Sequence, residues 1–217
     1  MSGANSLLAY YAQRAPEYEQ IYARPERQAD QSRLRARLCA LLAAERVLEV
    51  ACGTGYWTQD IARVATHVTA TDAGEEVLAL ARAKAIDPRR VTFRKADAFA
   101  LEMVPGTFTA ALAAFWVSHV PRPDLARFLS GVHAGLVRGG RVVLCDNTFV
   151  PGSSTPESRR DQAGNAYQVR TLAAGTRHDV LKNYLTADEL RAAAGDVERW
   201  EYETLGYYWL ATYRLRR

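Results

Sequence analysis

Cysteine is scarce in this sequence, and its three cysteines lie far apart along 217 residues. Cys39, Cys52 and Cys145 show no paired spacing, so they indicate neither a disulfide framework nor a zinc site. Apolar runs of the ~20 residues that would span a bilayer are also missing. Residues 1–8 lack the basic start and apolar core of a signal peptide. We therefore expect a protein of the reducing cytoplasm, with no metal site and no membrane partner.

A strong charge of one sign is the second feature that is lacking. The formal net charge is +4, and the basic residues are spread along the whole chain. Nucleic-acid binding usually leaves a more concentrated basic stripe, so we expect no nucleic-acid partner. In contrast, 48% hydrophobic and 24% charged residues are ordinary values for a globular domain. This length fits one α/β domain and is short for two, so we expect a single domain over residues 1–217.

The most informative stretch is residues 46–58. A mainly apolar run, residues 47–50, suits a buried parallel strand, and a turn of small residues follows before a helical pattern begins. Gly53 and Gly55 can adopt positive φ and have no Cβ, so a ligand can lie against the backbone there. The start of the next helix offers unpaired N–H groups, which predicts a ligand with a polar or anionic end.

The rest of the chain alternates strand and helix patterns, which predicts a parallel sheet with helices on both faces. Strands are predicted at residues 67–71, 91–95, 107–115 and 141–145, and helices at 29–44, 75–85 and 123–137, the last stopped by Gly139 and Gly140. The C-terminal part predicts a capped helix over 186–195 and a hairpin over 197–204 and 207–214, hence an antiparallel edge. Residues 164–185 fit either paired strands, at 168–172 and 177–181, or irregular structure.

Four acids fall in or just after the predicted strands: Glu49, Asp72, Asp97 and Asp146. In an open α/β sheet, ligands bind beyond the carboxyl ends of the strands. An acid about twenty residues past a glycine loop can accept two hydrogen bonds from a ribose diol. For Asp72 we favour this role over the alternative, an N-cap of the next helix. A dinucleotide fingerprint would need a third glycine where Thr58 stands, which weakens a nicotinamide or flavin interpretation.

Together these motifs resemble the class I S-adenosylmethionine-dependent methyltransferases of the small-molecule type. The resemblance covers Val47 to Cys145 and rests on Val-Leu-Glu-Val-Ala-Cys-Gly-Thr-Gly from Val47, Thr-Ala-Thr-Asp72, Lys-Ala-Asp97-Ala and Gly139-Gly-Arg-Val-Val-Leu144. It implies a Rossmann-like, doubly wound sheet of seven strands, mainly parallel with the last strand antiparallel. It also implies S-adenosyl-L-methionine as the cofactor.

The resemblance further implies a set of cofactor contacts by matched position. Glu49 belongs to this set, and Ala51, where the family often has glycine, Gly53 and Gly55 would pass under the methionine part and the ribose. Asp72 would hold the ribose hydroxyls, Asp97 and Ala98 would meet the adenine, and Phe115 and Trp116 would flank the sulfonium. For Asp97 the alternative is an ordinary loop aspartate that caps a turn. Tyr11 and Tyr18 stand in a tyrosine-rich opening segment of two short helices that meet at Pro16. These rings either close over the cofactor as a lid or only staple the segment onto the domain.

Methyl transfer needs mainly alignment and exclusion of water, and a base only if the acceptor must lose a proton early. His119, just past the fourth strand, is the best candidate for such a base by its pKa class. The alternative is a histidine that shapes the loop before Pro121 through backbone hydrogen bonds. Asp146, at the end of the fifth strand, either binds a substrate amine or hydroxyl or caps the following loop.

We therefore expect a methyltransferase that acts on O, N or S of a small molecule, as a monomer or homodimer. Within the domain we expect a helical lid (1–44), a cofactor-binding core (45–150), a substrate-cover insert (151–185) and a C-terminal helix and hairpin (186–217). The alternatives are an RNA or protein methyltransferase and a non-catalytic protein that binds S-adenosylmethionine.

Overall fold

The computed structural model of the protein describes residues 3–216, and of residues 3–6 and Leu8 it describes the backbone alone. Met1, Ser2 and Arg217 of the predicted domain lie outside the described residues. The helices are α1 (Gly3–Arg14), α2 (Gln28–Leu42), α3 (Thr58–Val64), α4 (Glu75–Arg82), α5 (Leu125–Ala134) and α6 (Ala187–Ala194). The strands are β1 (Arg46–Val50), β2 (His67–Asp72), β3 (Val91–Lys95), β4 (Phe108–Ala114), β5 (Leu136–Asn147), β6 (Arg159–Arg160), β7 (Ala166–Thr171), β8 (Arg177–Leu181), β9 (Val197–Thr204) and β10 (Tyr208–Leu215).

Seven strands form the central sheet in the order β3-β2-β1-β4-β5-β10-β9. Strands β1 to β5 pair in parallel, and β10 pairs antiparallel with both β5 and β9. This confirms the predicted Rossmann-like sheet with its last strand reversed. The order reverses beside β1, between β1 and β4, so the carboxyl ends of these strands form the crevice in which ligands of this fold bind.

Each face of the sheet is covered by its own apolar layer. Along β1, Val47 packs with the buried leucines of α2, whereas Leu48 and Val50 pack with the apolar side of α5. Neighbouring strand residues point to opposite faces, so a nearly continuous apolar strand serves both layers at once. The core therefore holds β1, and the loop after it, in a fixed position.

The helix before β5 is shorter than predicted, and the prediction that Gly139 and Gly140 stop it is wrong. α5 ends at Ala134, and both glycines lie inside the run of β5. Gly139 has φ 72°, and the register against β4 shifts between Phe108 and Ala110. A Cβ on Gly140 would meet the carbonyl oxygen of Val137 at 2.8 Å. The glycine pair thus permits a bulge in the strand.

The segment before α6 forms a separate three-stranded antiparallel sheet, β6-β7-β8. The paired-strand interpretation of residues 164–185 is therefore confirmed. Tyr10 of α1 is buried against Leu172 and Val180 of this sheet. The opening helix and the insert thus share a small apolar cluster on the crevice side of the molecule.

The opening segment contains two helical pieces, as predicted. α1 ends at Arg14, and a 3-10 helix over Ala15–Ala23 begins next to Pro16. Tyr22, at its end, is buried in the core with Trp57. Within residues 3–216, no helix is both long and apolar enough to cross a membrane.

Candidate active site

The loop after β1 has an unusual backbone. Ala51, Gly53 and Gly55 have φ of 54°, 57° and 75°. A Cβ on Gly53 would meet nothing within 4 Å, whereas one on Gly55 would meet the Cβ of Ala81 on α4 at 3.1 Å. Gly55 therefore allows close packing against α4, and Gly53 leaves open space beside the backbone. Ala51 keeps a left-handed conformation that costs an alanine about 1 kcal/mol, which indicates that the surrounding structure imposes the shape of this loop.

Asp72, at the end of β2, is joined to this loop. One carboxylate oxygen accepts a hydrogen bond from the backbone N–H of Gly53 at 2.9 Å, and the other accepts from Gly74 at 2.8 Å. Burial raises the pKa of Asp72, and the backbone N–H groups oppose that shift. Each carboxylate oxygen has a second lone pair. Asp72 therefore fixes the loop and keeps capacity to accept hydroxyl donors.

Glu49, in the middle of β1, is buried beside the same loop. It accepts a hydrogen bond from the Thr58 hydroxyl at 2.8 Å. Burial raises the pKa of Glu49 to about 8, although the bond from Thr58 opposes this shift. The side chain is therefore mostly protonated at neutral pH and can donate one hydrogen bond of its own.

The glycine loop is also tied to the opening segment. The hydroxyl of Thr54 donates to Glu19 at 2.6 Å, and Lys84 pairs with the same carboxylate oxygen at 2.8 Å. Glu19 lies in the 3-10 helix, so it connects that segment to the loop and to the end of α4. Sequence reasoning missed this residue, because a lone acid in a polar segment carries no signal.

The end of β4 contributes two aromatic residues. Phe115 has φ 60°, rare for a bulky residue, and its backbone N–H donates to the carbonyl of Cys145 at 2.7 Å. Its ring stacks on Trp57, with ring centroids 5.6 Å apart. The indole N–H of Trp116 is buried without a hydrogen-bond partner among the described residues. An orphaned buried donor of this kind is compatible with a polar ligand nearby.

Asp97 and Ala98 lie beyond β3 at the same edge of the sheet. Asp97 is exposed, and its carboxylate accepts from the backbone N–H of Phe99 at 2.9 Å. Ala98 is buried in the apolar layer that also contains Leu101. The turn is thus held locally, with the carboxylate facing solvent.

Tyrosine rings of the opening segment reach from this loop to the end of β4. Tyr22 lies against Tyr56 with ring centroids 3.8 Å apart, and Tyr18 contacts Tyr22 at 6.0 Å. Tyr11 contacts Tyr18 at 5.8 Å and His119 at 5.6 Å. Tyr11 and Tyr18 are therefore brought together above the carboxyl ends of the strands.

His119 is held by a hydrogen bond on each ring nitrogen. Nδ1 lies 2.6 Å from the carbonyl oxygen of Leu181, and Nε2 lies 2.8 Å from the Tyr11 hydroxyl. A carbonyl can only accept, so Nδ1 carries the proton and Nε2 accepts from Tyr11. Burial, followed by the nearby Lys182 ammonium, lowers the pKa of His119 to about 3. The imidazole is therefore neutral at physiological pH.

Asp146 forms a buried ion pair with Lys182. The ammonium donates to Asp146 at 2.8 Å and to the Ser118 hydroxyl at 2.7 Å, and the second carboxylate oxygen accepts from the Ser118 backbone N–H at 3.0 Å. Burial opposes ionisation of Asp146, but Lys182 outweighs it and lowers the pKa. The pair joins the insert to the ends of β4 and β5. Sequence reasoning missed Lys182, because the strand pattern of the insert gave no sign of where its polar residues point.

A cleft that is open to solvent lies between the opening segment, the insert and the carboxyl ends of β4 and β5. Tyr11, Tyr18, Phe115 and His119 line it, and Asn147 lies beside them. The cleft thus lies between the tyrosines of the opening segment and the insert, next to the carboxyl ends of β4 and β5.

A doubly wound sheet with a glycine loop after β1 and an acid at the end of β2 defines a nucleoside-binding protein. A family model described as "Methyltransferase domain" matches residues 47–140. The chain is 33% identical to a demethylmenaquinone methyltransferase of Clavibacter sepedonicus over 53% of this chain and 46% of that protein. It is 32% identical to a ubiquinone biosynthesis O-methyltransferase of Azotobacter vinelandii over 76% of this chain and 71% of that protein.

Solved structures match over nearly the whole chain. The DhpI-SAH complex has a TM-score of 0.78 and 29% identity, covering 98% of this chain and 96% of that one. The DhpI-SAM-HEP complex has a TM-score of 0.76 and 30% identity, covering 98% and 97%. The chain belongs to the class I S-adenosylmethionine-dependent methyltransferases, and S-adenosylmethionine is its cofactor. It spans about half the length of the first curated relatives that it matches.

Proposed function

We propose that this protein transfers the methyl group of S-adenosylmethionine to a small-molecule acceptor bound in the cleft. The observation that carries the proposal is a row of ring contacts. Tyr56, just after the glycine loop, lies against Tyr22, Tyr22 contacts Tyr18, and Tyr18 contacts Tyr11, which contacts His119. Tyr11, Tyr18 and His119 line the cleft. When bound, S-adenosylmethionine supplies an activated methyl group. The relatives named as quinone biosynthesis methyltransferases and the DhpI complex with SAM and HEP support a small acceptor.

The residues present fit this cofactor. Open space beside Gly53 admits a ligand against the backbone, and the spare lone pairs of Asp72 can accept two ribose hydroxyls. We propose that Gly53 and Asp72, together with Glu49, Ala51 and Gly55, form one wall of the cofactor site, which we call the cofactor wall. In the same proposal, a second group of residues meets the adenine and the sulfonium and covers them: Asp97, Ala98, Phe115, Trp116, Tyr11 and Tyr18.

We propose that His119 and Asp146 hold the segments around the cleft in position. His119 holds the Tyr11 hydroxyl, and Asp146 holds Lys182 and the start of the turn at Ser118. In this proposal, residues 1–44 form a lid, 45–150 the core and 151–185 a cover over the substrate, while 186–217 complete the sheet. His119 and Asp146 then lie where the lid, the core and the cover meet. Exclusion of water from this junction would favour methyl transfer.

We further propose a cytoplasmic monomer or homodimer without a nucleic-acid partner. Three free cysteines, Cys39, Cys52 and Cys145, suit a reducing compartment. Residues of the insert, among them Arg170 and Lys182, line the cleft, and a cleft walled in this way suits a small acceptor better than a polymer.

The decisive experiment incubates the protein with methyl-labelled S-adenosylmethionine and a metabolite extract, and identifies the labelled product by mass spectrometry. We expect a labelled small molecule and stoichiometric S-adenosylhomocysteine. Tight cofactor binding without product from any extract would instead indicate a non-catalytic binding protein.

The cofactor wall is tested separately with Asp72→Ala. The variant should bind S-adenosylhomocysteine about 10- to 100-fold more weakly by calorimetry, because charge-assisted hydrogen bonds to the ribose are lost. Asp87→Ala, which removes an exposed carboxylate elsewhere, is the matched control. Unchanged affinity of Asp72→Ala would refute the ribose assignment.

A further inference from the structure

The cleft carries an excess of positive charge. Five cationic side chains line it: Arg14, Arg24, Arg27, Arg170 and Lys182, whereas no aspartate or glutamate is among its described lining residues. Lys182 is neutralised by Asp146. Elsewhere among residues 3–216, many arginines pair with carboxylates within 4 Å, as Arg35 does with Asp60. What distinguishes the cleft arginines is that four of them line one cavity whose described lining contains no carboxylate.

The four arginines make only neutral contacts within the described chain. Arg14 donates to the Tyr10 hydroxyl at 2.7 Å, and Arg24 donates to the carbonyl of Ser153 at 2.8 Å. Arg170 donates to the side-chain oxygen of Gln168 at 2.5 Å. Neutral acceptors orient a guanidinium without cancelling its charge.

Arg27 is the most constrained of the four. It donates to the Ser153 hydroxyl at 2.8 Å and lies 5.2 Å from the ring centroid of Tyr207. Its Nε is buried without a hydrogen-bond partner among the described residues. A buried donor on a charged group that lacks its acceptor costs free energy that a bound anion would recover.

Among the described residues in and around the cleft, no base is ready to take a proton. The lone pair of His119 Nε2 is occupied by the Tyr11 hydroxyl, and burial keeps the imidazole weakly basic. Asp146 is occupied by Lys182, by the backbone N–H of Ser118 and by Asn147. An acceptor that must lose a proton, such as a neutral alcohol or amine, finds no partner for it here. An acceptor that is already ionised needs none.

We propose that the methyl acceptor is a small acid with two negative charges, and that one of its anionic oxygens receives the methyl group. This inference rests on the proposed function. In the step, the oxygen forms a bond to the methyl carbon while the carbon–sulfur bond of S-adenosylmethionine breaks and sulfur keeps the electron pair. The anion loses one negative charge, the sulfonium loses its positive charge, and no proton is released. Cancellation of opposite charges is favoured in a site that excludes water.

Two negative charges fit the geometry better than one. The cleft holds four guanidinium groups without carboxylate partners among the described residues, and each presents a planar fork suited to phosphate or carboxylate oxygens. Phosphonates, phosphate monoesters and dicarboxylates share this chemistry. A monocarboxylate would balance only one of the four charges.

Binding can be measured without turnover. Calorimetry of the protein loaded with S-adenosylhomocysteine should detect ethylphosphonate, and Arg27→Gln and Arg170→Gln should each weaken its binding about 10-fold, as expected for a lost charge-assisted hydrogen bond. Arg33→Gln, which removes an exposed charge on α2, should leave it unchanged. All variants should keep their affinity for S-adenosylhomocysteine. If a variant does not fold, the wild-type affinity for ethylphosphonate should still fall steeply with added salt.

Turnover then separates the classes of acceptor. Ethylphosphonate, glycerol 3-phosphate, succinate and catechol are each incubated with labelled S-adenosylmethionine. Methyl esters of any of the three anions support the inference and identify the oxyanion. Methylation of catechol alone overturns it while leaving the proposed function intact. Anion binding that is absent, or insensitive to Arg27→Gln, Arg170→Gln and salt, also overturns it. Failure to bind S-adenosylhomocysteine would instead count against the proposed function.

Discussion

At the scale of single residues, two buried carboxylates of this protein have pKa values that are shifted in opposite directions, because their neighbours differ in charge. Burial raises the pKa of Glu49 to about 8, and the hydrogen bond that opposes this shift comes from a neutral group, the Thr58 hydroxyl. Burial also acts on Asp146, but the adjacent Lys182 ammonium outweighs it and lowers the pKa. An opposite charge thus decides whether a buried acid is protonated.

Glu49 should make the stability of the ligand-free protein depend on pH. Its folded pKa of about 8 lies above its ordinary value of 4.5. The folded state therefore binds the proton more tightly, and the stabilisation is complete below the ordinary value and is lost as pH rises towards 8. Urea unfolding from pH 5 to pH 9 should show wild type losing ~4 kcal/mol more than Glu49→Gln. The exposed Glu102→Gln is the control, and parallel curves for wild type and Glu49→Gln would contradict the prediction.

Lys182→Met should be strongly destabilising. The change leaves the Asp146 carboxylate, 1% exposed, without its counter-charge, and breaking a buried pair in this way costs about 3–5 kcal/mol. Urea denaturation measures the effect, with Lys95→Met, an exposed lysine at the end of β3, as control. Adding Asp146→Asn to Lys182→Met should restore part of the loss, since it removes the unpaired charge. Wild-type stability of Lys182→Met alone would show that the pair does not hold this junction.

At the scale of elements, two segments far apart in the chain cover the carboxyl ends of the strands. The opening segment contacts the glycine loop through Glu19, and it shares an apolar cluster with the insert through Tyr10. Few apolar residues make these contacts compared with the two layers of the central sheet. The cluster that joins the opening segment to the insert is therefore smaller than the two layers of the central sheet, and we expect this contact to open more readily than the core.

Glu19→Ala should loosen the opening segment without unfolding the core. It removes the hydrogen bond from Thr54 and the ion pair with Lys84. Bound S-adenosylhomocysteine should dissociate about 3- to 10-fold faster in a stopped-flow displacement experiment, since contacts that close a site act mainly on the dissociation rate. The melting temperature should change little. Glu102→Ala, at an exposed position in another 3-10 turn, serves as control, and equal rates would show that the contact does not gate release.

At the scale of the whole molecule, the cofactor should stabilise the fold, because the proposed binding wall includes residues of β1, β2 and β4 together with the opening segment. S-adenosylhomocysteine at 100 times its Kd adds about 2.7 kcal/mol, which raises the melting temperature of a domain of this size by ~5–10 °C. Thermal scanning measures it. NADH at the same concentration is the control. A shift of the melting temperature with NADH but not with S-adenosylhomocysteine would favour the nicotinamide interpretation.

Much of the fold followed from the sequence. The strand, glycine loop and helix over residues 46–58 and the reversed last strand were predicted, because apolar periodicity and turn residues act locally. The error at Gly139 and Gly140 has the same origin. A glycine pair after a helix is typical of a helix end. Only the pairing of β5 with its neighbours β4 and β10 shows that this glycine pair lies at a bulge in a strand.

The sequence by itself determined the sheet, the glycine loop and the acid that holds it, hence the class of cofactor. Only the tertiary structure decided what surrounds the cleft. Tyr11 and His119 are 108 positions apart yet share a hydrogen bond, and Arg27 and Arg170 come from the opening segment and the insert. Such contacts arise from the packing of elements, and no local pattern encodes them. Four of the arginines that are spread along the sequence thus come together, after folding, around one cleft.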